Sequence, residues 1–257
     1  MTTPPPATPW PRPHYRASAL PMKMHFVCFA KQALDLPPMR AVDYGVVPGD
    51  ALQAIDVTRH ARDGAEEWFA GWWDNAFGEF AHMQLGAEFK TLTQTTVCYS
   101  VQLRLDDHAD LSPLQAAWGV VRWLVDCGAG FVLDLHALKY RTGDDVREFD
   151  FGALKIGREI SIANETSPTD DTGTYLIHTR GMTKFARPDL MFFRAPTIKV
   201  KTAGQMLNAL ALKLAEGALP EDLNDPKVSG APITLRPFED AALLAQLGID
   251  CAWAITL

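Results

Sequence analysis

The stretch from Thr96 to Leu138 constrains the fold most, because its hydrophobic period changes twice within 43 residues. Between Thr96 and Leu105 apolar and polar residues alternate, which is typical of a strand with one buried face. The tetrapeptide Ser112-Pro113-Leu114-Gln115 then supplies an N-cap, a proline at the first helical position and a glutamine at N3, and an apolar stripe follows at helical spacing. Gly128 suits the end of that helix, and the apolar run from Gly130 to Leu138 predicts a second strand.

The same patterns recur further along the chain. They predict these elements: strands Thr174–Arg180 and Asp189–Arg194, a helix opened by Thr202–Gln205, a strand Pro232–Leu235, a short helix Glu239–Leu247 and a final strand Cys251–Thr256. From Thr96 onward the predicted order is β-α-β-β-α-β, the split βαβ or ferredoxin-like arrangement. We therefore expect an α+β fold with one continuous, mixed and mainly antiparallel sheet and helices on one face.

The part before Thr96 is expected to complete this sheet. A strand is predicted from Lys23, a short helix over Asp50–His60 and a long helix over Ala65–Phe89. The aromatic residues of the long helix recur every three or four positions, which favours core packing over a ligand-binding box.

The predicted domain organisation is a proline-rich disordered or extended tail over residues 1–21, followed by a single α+β domain over 22–257. The tail holds seven prolines, which fix φ and remove hydrogen-bond donors. Within the domain, 22–92 and 93–257 are possible sub-units.

Composition excludes several classes of protein. With 47% hydrophobic and 21% charged residues the chain can bury a core, and its net charge of −7 opposes non-specific binding to nucleic acid. It has no run of ~20 apolar residues, as a membrane span needs, and its N-terminus does not resemble a secretory signal. The four cysteines form no CxxC pair, so reduced thiols are expected. These features together predict a soluble, cytoplasmic protein.

The densest polar cluster is the connection from His178 to Asp189. Arg180, Lys184 and Arg187 place three cations within eight residues, and Gly181 permits a left-handed turn that directs amides inward. One interpretation is a binding site for a carboxylate, a phosphate or an acidic protein surface. The alternative is an exposed connection whose charges only keep it in solution.

Asp134 and His136 lie two residues apart in a predicted strand, so their side chains are expected on one face. His178 and Arg180 have the same spacing. Asp134 and His136 suit a metal pair or an acid–histidine dyad, and if the two strands are neighbours the four side chains converge into one polar patch. The alternative is a polar sheet face without chemistry.

Sequence motifs for known chemistry are missing from the chain. There is no GxGxxG after a strand, no GxxxxGK[ST], no GxSxG and no HExxH, and the acidic pairs Asp144-Asp145 and Asp170-Asp171 lack EF-hand spacing. We therefore predict no catalytic residue, no metal ligand and no cofactor.

The segment T-x-G-M-x-K-F-A-R-P-D-L, from Thr179 to Leu190, resembles a turn in an uncharacterised bacterial domain family of unknown function. The resemblance extends loosely over Thr96–Gly217, and Ala186 stands where that family more often has glycine. Members are found beside contact-dependent toxin and immunity systems. The resemblance thus implies a non-enzymatic protein that binds another protein.

Three functions remain open from the sequence. The first is a binding or immunity-like protein whose acidic chain suits a basic protein partner. The second is a small-molecule enzyme using Asp134, His136, His178 and Arg180. The third is a structural subunit that dimerises by pairing of sheet edges.

Overall fold

A computed structural model describes residues 8–47, 49–165, 176–193 and 200–256 of the chain. Within these ranges the protein is of the α+β class and has two mainly antiparallel five-stranded sheets. The prediction of the α+β class is therefore confirmed, whereas the prediction of one continuous sheet is wrong.

The chain divides into two compact units that are interleaved in sequence. Unit 1 comprises 1–10, 23–105 and 110–154, and unit 2 comprises 11–22, 106–109 and 155–257, each as far as it is described. The strands β3 (Val97–Leu105) and β4 (Phe131–Asp134) thus belong to one sheet, and β7 (Leu176–Arg180) and β8 (Asp189–Phe192) to the other. No single split βαβ sheet can include all four strands.

Unit 1 has the strand order β2-β3-β1-β4-β5. Its other elements are the strands β1 (Met22–Ala30), β2 (Asp56–Ala61) and β5 (Lys139–Thr142), and the helices α1 (Asp50–Gln53), α2 (Glu66–Ala70), α3 (Ala76–Leu85), α4 (Phe89–Leu92), α5 (Ser112–Asp126) and α6 (Gly143–Arg147). Helix α5 covers one face, where Trp118 packs on Phe26 with ring centroids 4.6 Å apart. An aromatic cluster containing Phe69 and Trp73 buries part of the opposite face, against Phe29.

The region before β3 differs from the predicted one in two places. The predicted helix over Asp50–His60 ends at Gln53, and β2 follows because Val57 and its neighbours pair with β3. The predicted long helix is interrupted: Asn75 accepts a hydrogen bond from the amide of Phe77, as an N-cap does, and so starts a new helix after α2.

The described part of the N-terminal tail, residues 8–21, has little regular secondary structure and is held by hydrogen bonds. The indole of Trp10 is 1% exposed and donates to the carbonyl of Phe151 at 2.8 Å, and its backbone amide donates to Oε1 of Gln115 at 2.8 Å. These bonds give the proline-rich segment the partners that it cannot make with itself. The first seven residues lie outside the described ranges.

Unit 2 has the strand order β6-β7-β8-β10-β9, in which β8 and β10 pair in parallel and the other described neighbours pair antiparallel. Its other elements are the strands β6 (Ser161–Glu165), β9 (Thr234–Pro237) and β10 (Ala252–Thr256), and the helices α7 (Ile156–Glu159), α8 (Val200–Ala215), α9 (Pro226–Ser229) and α10 (Ala241–Leu247). Helix α8 packs on β6, β7 and β8. Thr174, Tyr175 and Arg194, which belong to predicted strands, lie outside the described residues, as does the acidic pair Asp170-Asp171.

The four cysteines are present as free thiols. Cys28 and Cys98 are buried in adjacent strands of unit 1, whereas Cys127 and Cys251 are half-buried. Burial raises the pKa of Cys98 to about 12, so this side chain behaves as a small apolar group. In the described ranges, no helix has the length and apolar character needed to cross a bilayer.

Candidate functional site

The basic connection between β7 and β8 is buried rather than exposed. Lys184 and Arg187 both have 0% exposure, as do Met182, Phe185 and Ala186. Burial of charged side chains is tolerated only when each one is paired, so the partners of these cations decide what the turn does.

The turn is closed by its own side chains. Asp189 Oδ1 accepts hydrogen bonds from Thr179 Oγ1 at 2.8 Å and from the amide of Met182 at 3.3 Å, while Thr179 Oγ1 accepts from the amide of Leu190 at 2.9 Å. Ala186 has φ of +53°, a left-handed conformation that glycine adopts most readily. The pattern from Thr179 to Leu190 therefore meets structural requirements of a buried turn.

Arg187 shares a carboxylate with a second arginine from the proline-rich segment. Asp107 Oδ2 accepts from Arg187 Nη1 at 2.8 Å and Oδ1 accepts from Arg12 Nη1 at 2.5 Å, and all three side chains are at most 2% exposed. The other guanidinium hydrogens reach backbone carbonyls, namely those of Arg16, His108, Phe185, Ala186, Ala215, Gly217 and Ala218. Every bond satisfies a group of unit 2 itself, so Arg187 supports the fold and is not an exposed ligand for anions.

Lys184 is paired in a second buried cluster. Its Nζ lies 3.4 Å from Glu159 Oε2, and Glu159 Oε1 accepts from Arg158 Nε at 2.5 Å. The carboxylate of Glu159 thus compensates two cations within the interior of unit 2.

Arg180 and His178 have structural partners as well. Arg180 Nη1 donates to the carbonyl of Leu247 and Nη2 to that of Gly248 at 3.4 Å, so a cation caps the C-terminus of α10. The Nδ1 of the buried His178 donates to the carbonyl of Thr179 at 3.0 Å, and its Nε2 lies 3.6 Å from Glu165 Oε1. Burial lowers the pKa of His178, so the imidazole is held neutral.

Asp134 and His136 lie in the other unit, and they do not share a strand. Asp134 is the last residue of β4 and its Oδ1 accepts from the amide of Ala137 at 3.1 Å, which folds residues 135–138 into a turn that includes His136. Because β4 pairs with β1 and β5, and β7 with β6 and β8, the two strands are not neighbours. Strand pairing therefore does not bring Asp134, His136, His178 and Arg180 together in one patch.

Comparison of the chain with models of protein families, with curated proteins and with solved structures found no match. Within the described ranges, no group of three or more histidine, cysteine, aspartate or glutamate side chains is arranged to hold a metal ion.

An acidic segment of unit 1, residues 63–88, carries exposed apolar side chains. It contains six acidic residues and neither lysine nor arginine; three of the six lie in α2 or α3 and the other three in the segments that flank these helices. All six residues are exposed: Asp63, Glu66, Glu67, Asp74, Glu79 and Glu88. The same segment contains two exposed apolar side chains, Trp68, which is 44% exposed, and Met83, which is 71% exposed.

Trp68 is held in place by ring contacts. Its centroid lies 4.9 Å from that of His60 in β2, 5.3 Å from Phe69 and 5.4 Å from Trp72. An indole that is fixed on one side and open to solvent on the other loses little conformational entropy when a partner covers it. The sequence pattern predicted that this ring would be buried in the core, and that prediction is wrong for Trp68.

A second polar site of unit 1 lies on the part of the sheet face that the aromatic cluster leaves uncovered. His25 Nε2 is 2.8 Å from Ser100 Oγ, and Gln102 Nε2 donates to the same oxygen at 3.0 Å. Neither the acidic segment nor this site was recognised from the sequence. Two features of the sequence indicate these sites. The acidic segment is a stretch of 26 residues without lysine or arginine, and the polar site follows from the alternate positions Ser100, Gln102 and Arg104 on one face of β3.

Proposed function

We propose that this is a cytoplasmic, non-enzymatic binding protein that recognises a basic protein through the acidic segment of unit 1. The observation that supports it most directly is the exposed Trp68, set among carboxylates and held by His60 and Trp72. Tryptophan is enriched among the residues that dominate binding energy, and surrounding charges steer a partner of opposite sign.

The distribution of charge between the units supports a basic partner for unit 1. Unit 1 contains 11 lysines and arginines against 17 aspartates and glutamates, whereas unit 2 contains 13 against 14. Nearly all of the net charge of −7 therefore belongs to unit 1. The resemblance of the turn Thr179–Leu190 to a family found beside toxin and immunity systems is consistent with this role.

The four residues proposed for an enzyme give less support to that alternative. Arg180 caps a helix, His178 donates to the backbone, and Asp134 closes a turn. Each group is engaged in holding its own unit together, and no observation brings the four side chains to one place.

The test is purification of the tagged full chain from its native cell, followed by mass spectrometry and by affinity measurements with the purified partner. We expect a stoichiometric protein with a basic isoelectric point. Its affinity should fall roughly thirtyfold or more for Trp68→Ala, the loss typical of a central aromatic anchor. For Glu67→Gln/Glu79→Gln we expect slower association and weaker salt dependence.

Matched controls separate the proposed site from general charge. Glu148→Gln/Glu239→Gln removes the same charge from exposed positions elsewhere, and Phe193→Ala removes an aromatic ring that is 37% exposed in unit 2. Both should bind as the wild type does. The proposal is wrong if no basic protein co-purifies, or if Trp68→Ala binds the captured protein as tightly as Phe193→Ala does.

A further inference from the structure

The sheet of unit 1 has one face that is apolar at one end and polar at the other. On this face Val27 and Phe29 of β1 and Cys98 of β3 enter the aromatic cluster. Further along the same face of the same strands the side chains become polar, since alternate residues share a face. A cavity of about 400 Å³ opens there, bordered by Lys23, His25, Asp56, Gln102, Arg104 and His136 among others.

A hydrogen-bonded centre organises this cavity. Ser100 is buried, and its hydroxyl connects the imidazole of His25, at 2.8 Å, with the amide of Gln102, at 3.0 Å. Gln102 donates to Ser100 Oγ, and the same hydroxyl pairs with His25 Nε2, as acceptor when that nitrogen is protonated and as donor when it is not. The three side chains are therefore fixed in position before any ligand arrives.

The charged side chains around this centre are mainly cationic. Lys23 shares the face of His25 on β1, and Arg104 shares the face of Ser100 and Gln102 on β3. His136 also borders the cavity. The carboxylate on this border is Asp56, which lies opposite Gln102 on the edge strand β2 and accepts a hydrogen bond from Thr58 Oγ1 at 2.9 Å.

We propose that this cavity binds a small-molecule oxyanion, with its phosphate or carboxylate group between Lys23 and Arg104 and against His25. The volume lies within the range of small-ligand pockets, and cationic side chains around a fixed polar centre suit an anionic group. This site is separate from the acidic segment, and it has the opposite charge.

The pKa of His25 can be measured to detect an anion bound in the cavity. Burial lowers its pKa, the nearby Asp134 opposes this effect, and His60 adds to it. The other titratable or charged groups that face His25 from the packed elements are Lys23, Asp56, Arg104 and His136. A bound anion adds negative charge beside the imidazole and should raise the pKa of His25 by about one unit.

The experiment is a proton NMR titration of the histidine ring signals of the full chain, with inorganic phosphate and with succinate as probes at constant ionic strength. We expect saturable shifts at His25 and a raised pKa with at least one probe. A response to phosphate alone assigns a phosphate ligand, and a response to succinate alone assigns a carboxylate ligand. Lys23→Ala and Arg104→Ala should each weaken the binding about tenfold, as loss of a charge-assisted contact does.

Arg59→Ala is the matched control, because Arg59 lies on β2 opposite Tyr99 and hence on the other face of the sheet. It should bind the probe as the wild type does. Arg104→Gln provides a second variant if the alanine variant fails to fold. The inference is overturned if neither probe saturates by tens of millimolar, or if Arg59→Ala and Arg104→Ala lose affinity equally.

Discussion

Asp107 shows how single residues hold unit 2 together. Its two carboxylate oxygens accept from two buried guanidinium groups, and Oδ2 also accepts from the amide of Ser18 at 2.9 Å. Removal of one member of such a cluster leaves uncompensated charge in the interior, which costs more than the intact cluster contributes. The cluster therefore supports the stability of unit 2 chiefly when all three side chains, Arg12, Asp107 and Arg187, are present.

We expect Asp107→Asn to lower the free energy of unfolding by about 3–5 kcal/mol, because Arg12 and Arg187 would face each other without a counter-charge. Urea unfolding followed by circular dichroism measures the change. The neighbouring Asp106→Asn, at an exposed position, removes the same charge and should change stability by less than about 0.5 kcal/mol. Equal midpoints for the two variants would contradict this account.

We expect the stability of the protein to depend on pH through the protonation of Asp189. Burial raises its pKa from 3.8 to about 7, although the hydrogen bonds from Thr179 and Met182 oppose the shift. Between pH 4 and 7 the folded state thus keeps a proton that the unfolded state has lost. Its contribution to stability is complete below about pH 4, decreases as pH rises through 7, and is absent above that.

Asp189→Asn, which resembles the protonated acid, should remove this dependence. We expect the wild type to lose up to about 4 kcal/mol relative to the variant between pH 4 and pH 8. The measurement is the difference in unfolding free energy between the two proteins at each pH. A constant difference across the range would show that Asp189 is ionised in both states.

At the scale of elements, the segment 11–21 forms part of unit 2 because it runs along the end of α8. The amides of His14 and Arg16 donate to the carbonyls of Glu216 and Gly217, each at 3.0 Å. Gly217 has φ of +108°, and a Cβ at this position would lie 2.4 Å from the Cα of Tyr15. Only glycine meets both the conformational and the steric requirement.

Gly217→Ala should therefore destabilise the protein by roughly 2–4 kcal/mol, through a left-handed alanine and a clash with backbone atoms. Gly204→Ala in α8 is the control, since a Cβ there meets no atom within 4 Å. It should leave stability unchanged or raise it by up to about 1 kcal/mol. Thermal unfolding compares the two variants, and a Gly217→Ala protein as stable as the wild type would contradict the predicted close approach.

At the scale of the whole molecule, the two units are interleaved along the chain. The continuous segment 155–257 holds the nine helices and strands named above for unit 2, α7–α10 and β6–β10, but lacks Arg12 and Asp107. Arg187 would then be buried without its carboxylate, and the carbonyls at the end of α8 would lose their donors from segment 11–21. A native domain has only 5–15 kcal/mol of net stability to absorb such losses.

We expect the isolated fragment 155–257 to show no cooperative unfolding transition and to be digested rapidly by protease. Co-expression with the fragment 1–154, which carries Arg12 and Asp107, should restore a protected complex. Circular dichroism and limited proteolysis of each fragment, alone and together, provide the measurement. Cooperative unfolding of 155–257 alone would show that the arginine cluster is dispensable.

The sequence by itself determined the local elements where pattern and burial agree. Strand β3, helix α5 with Pro113 in its first turn, and Gly128 at φ +117° follow directly from alternation, helical spacing and turn chemistry. The α+β class follows from these elements. Such features depend on residues close together in the chain, so their pattern is readable without the fold.

Only the tertiary structure decided which strands share a sheet and which charges are buried. Arg187 meets its carboxylate 80 residues away, and Arg12 meets the carbonyl of Ala215 at a separation of 203 residues. A cation in a loop has the same sequence signature whether it faces water or a buried carboxylate. Conversely, Trp68 has the spacing of a core residue and remains exposed, and the predicted long helix is broken before Asn75, so one helical period does not extend over the whole aromatic run.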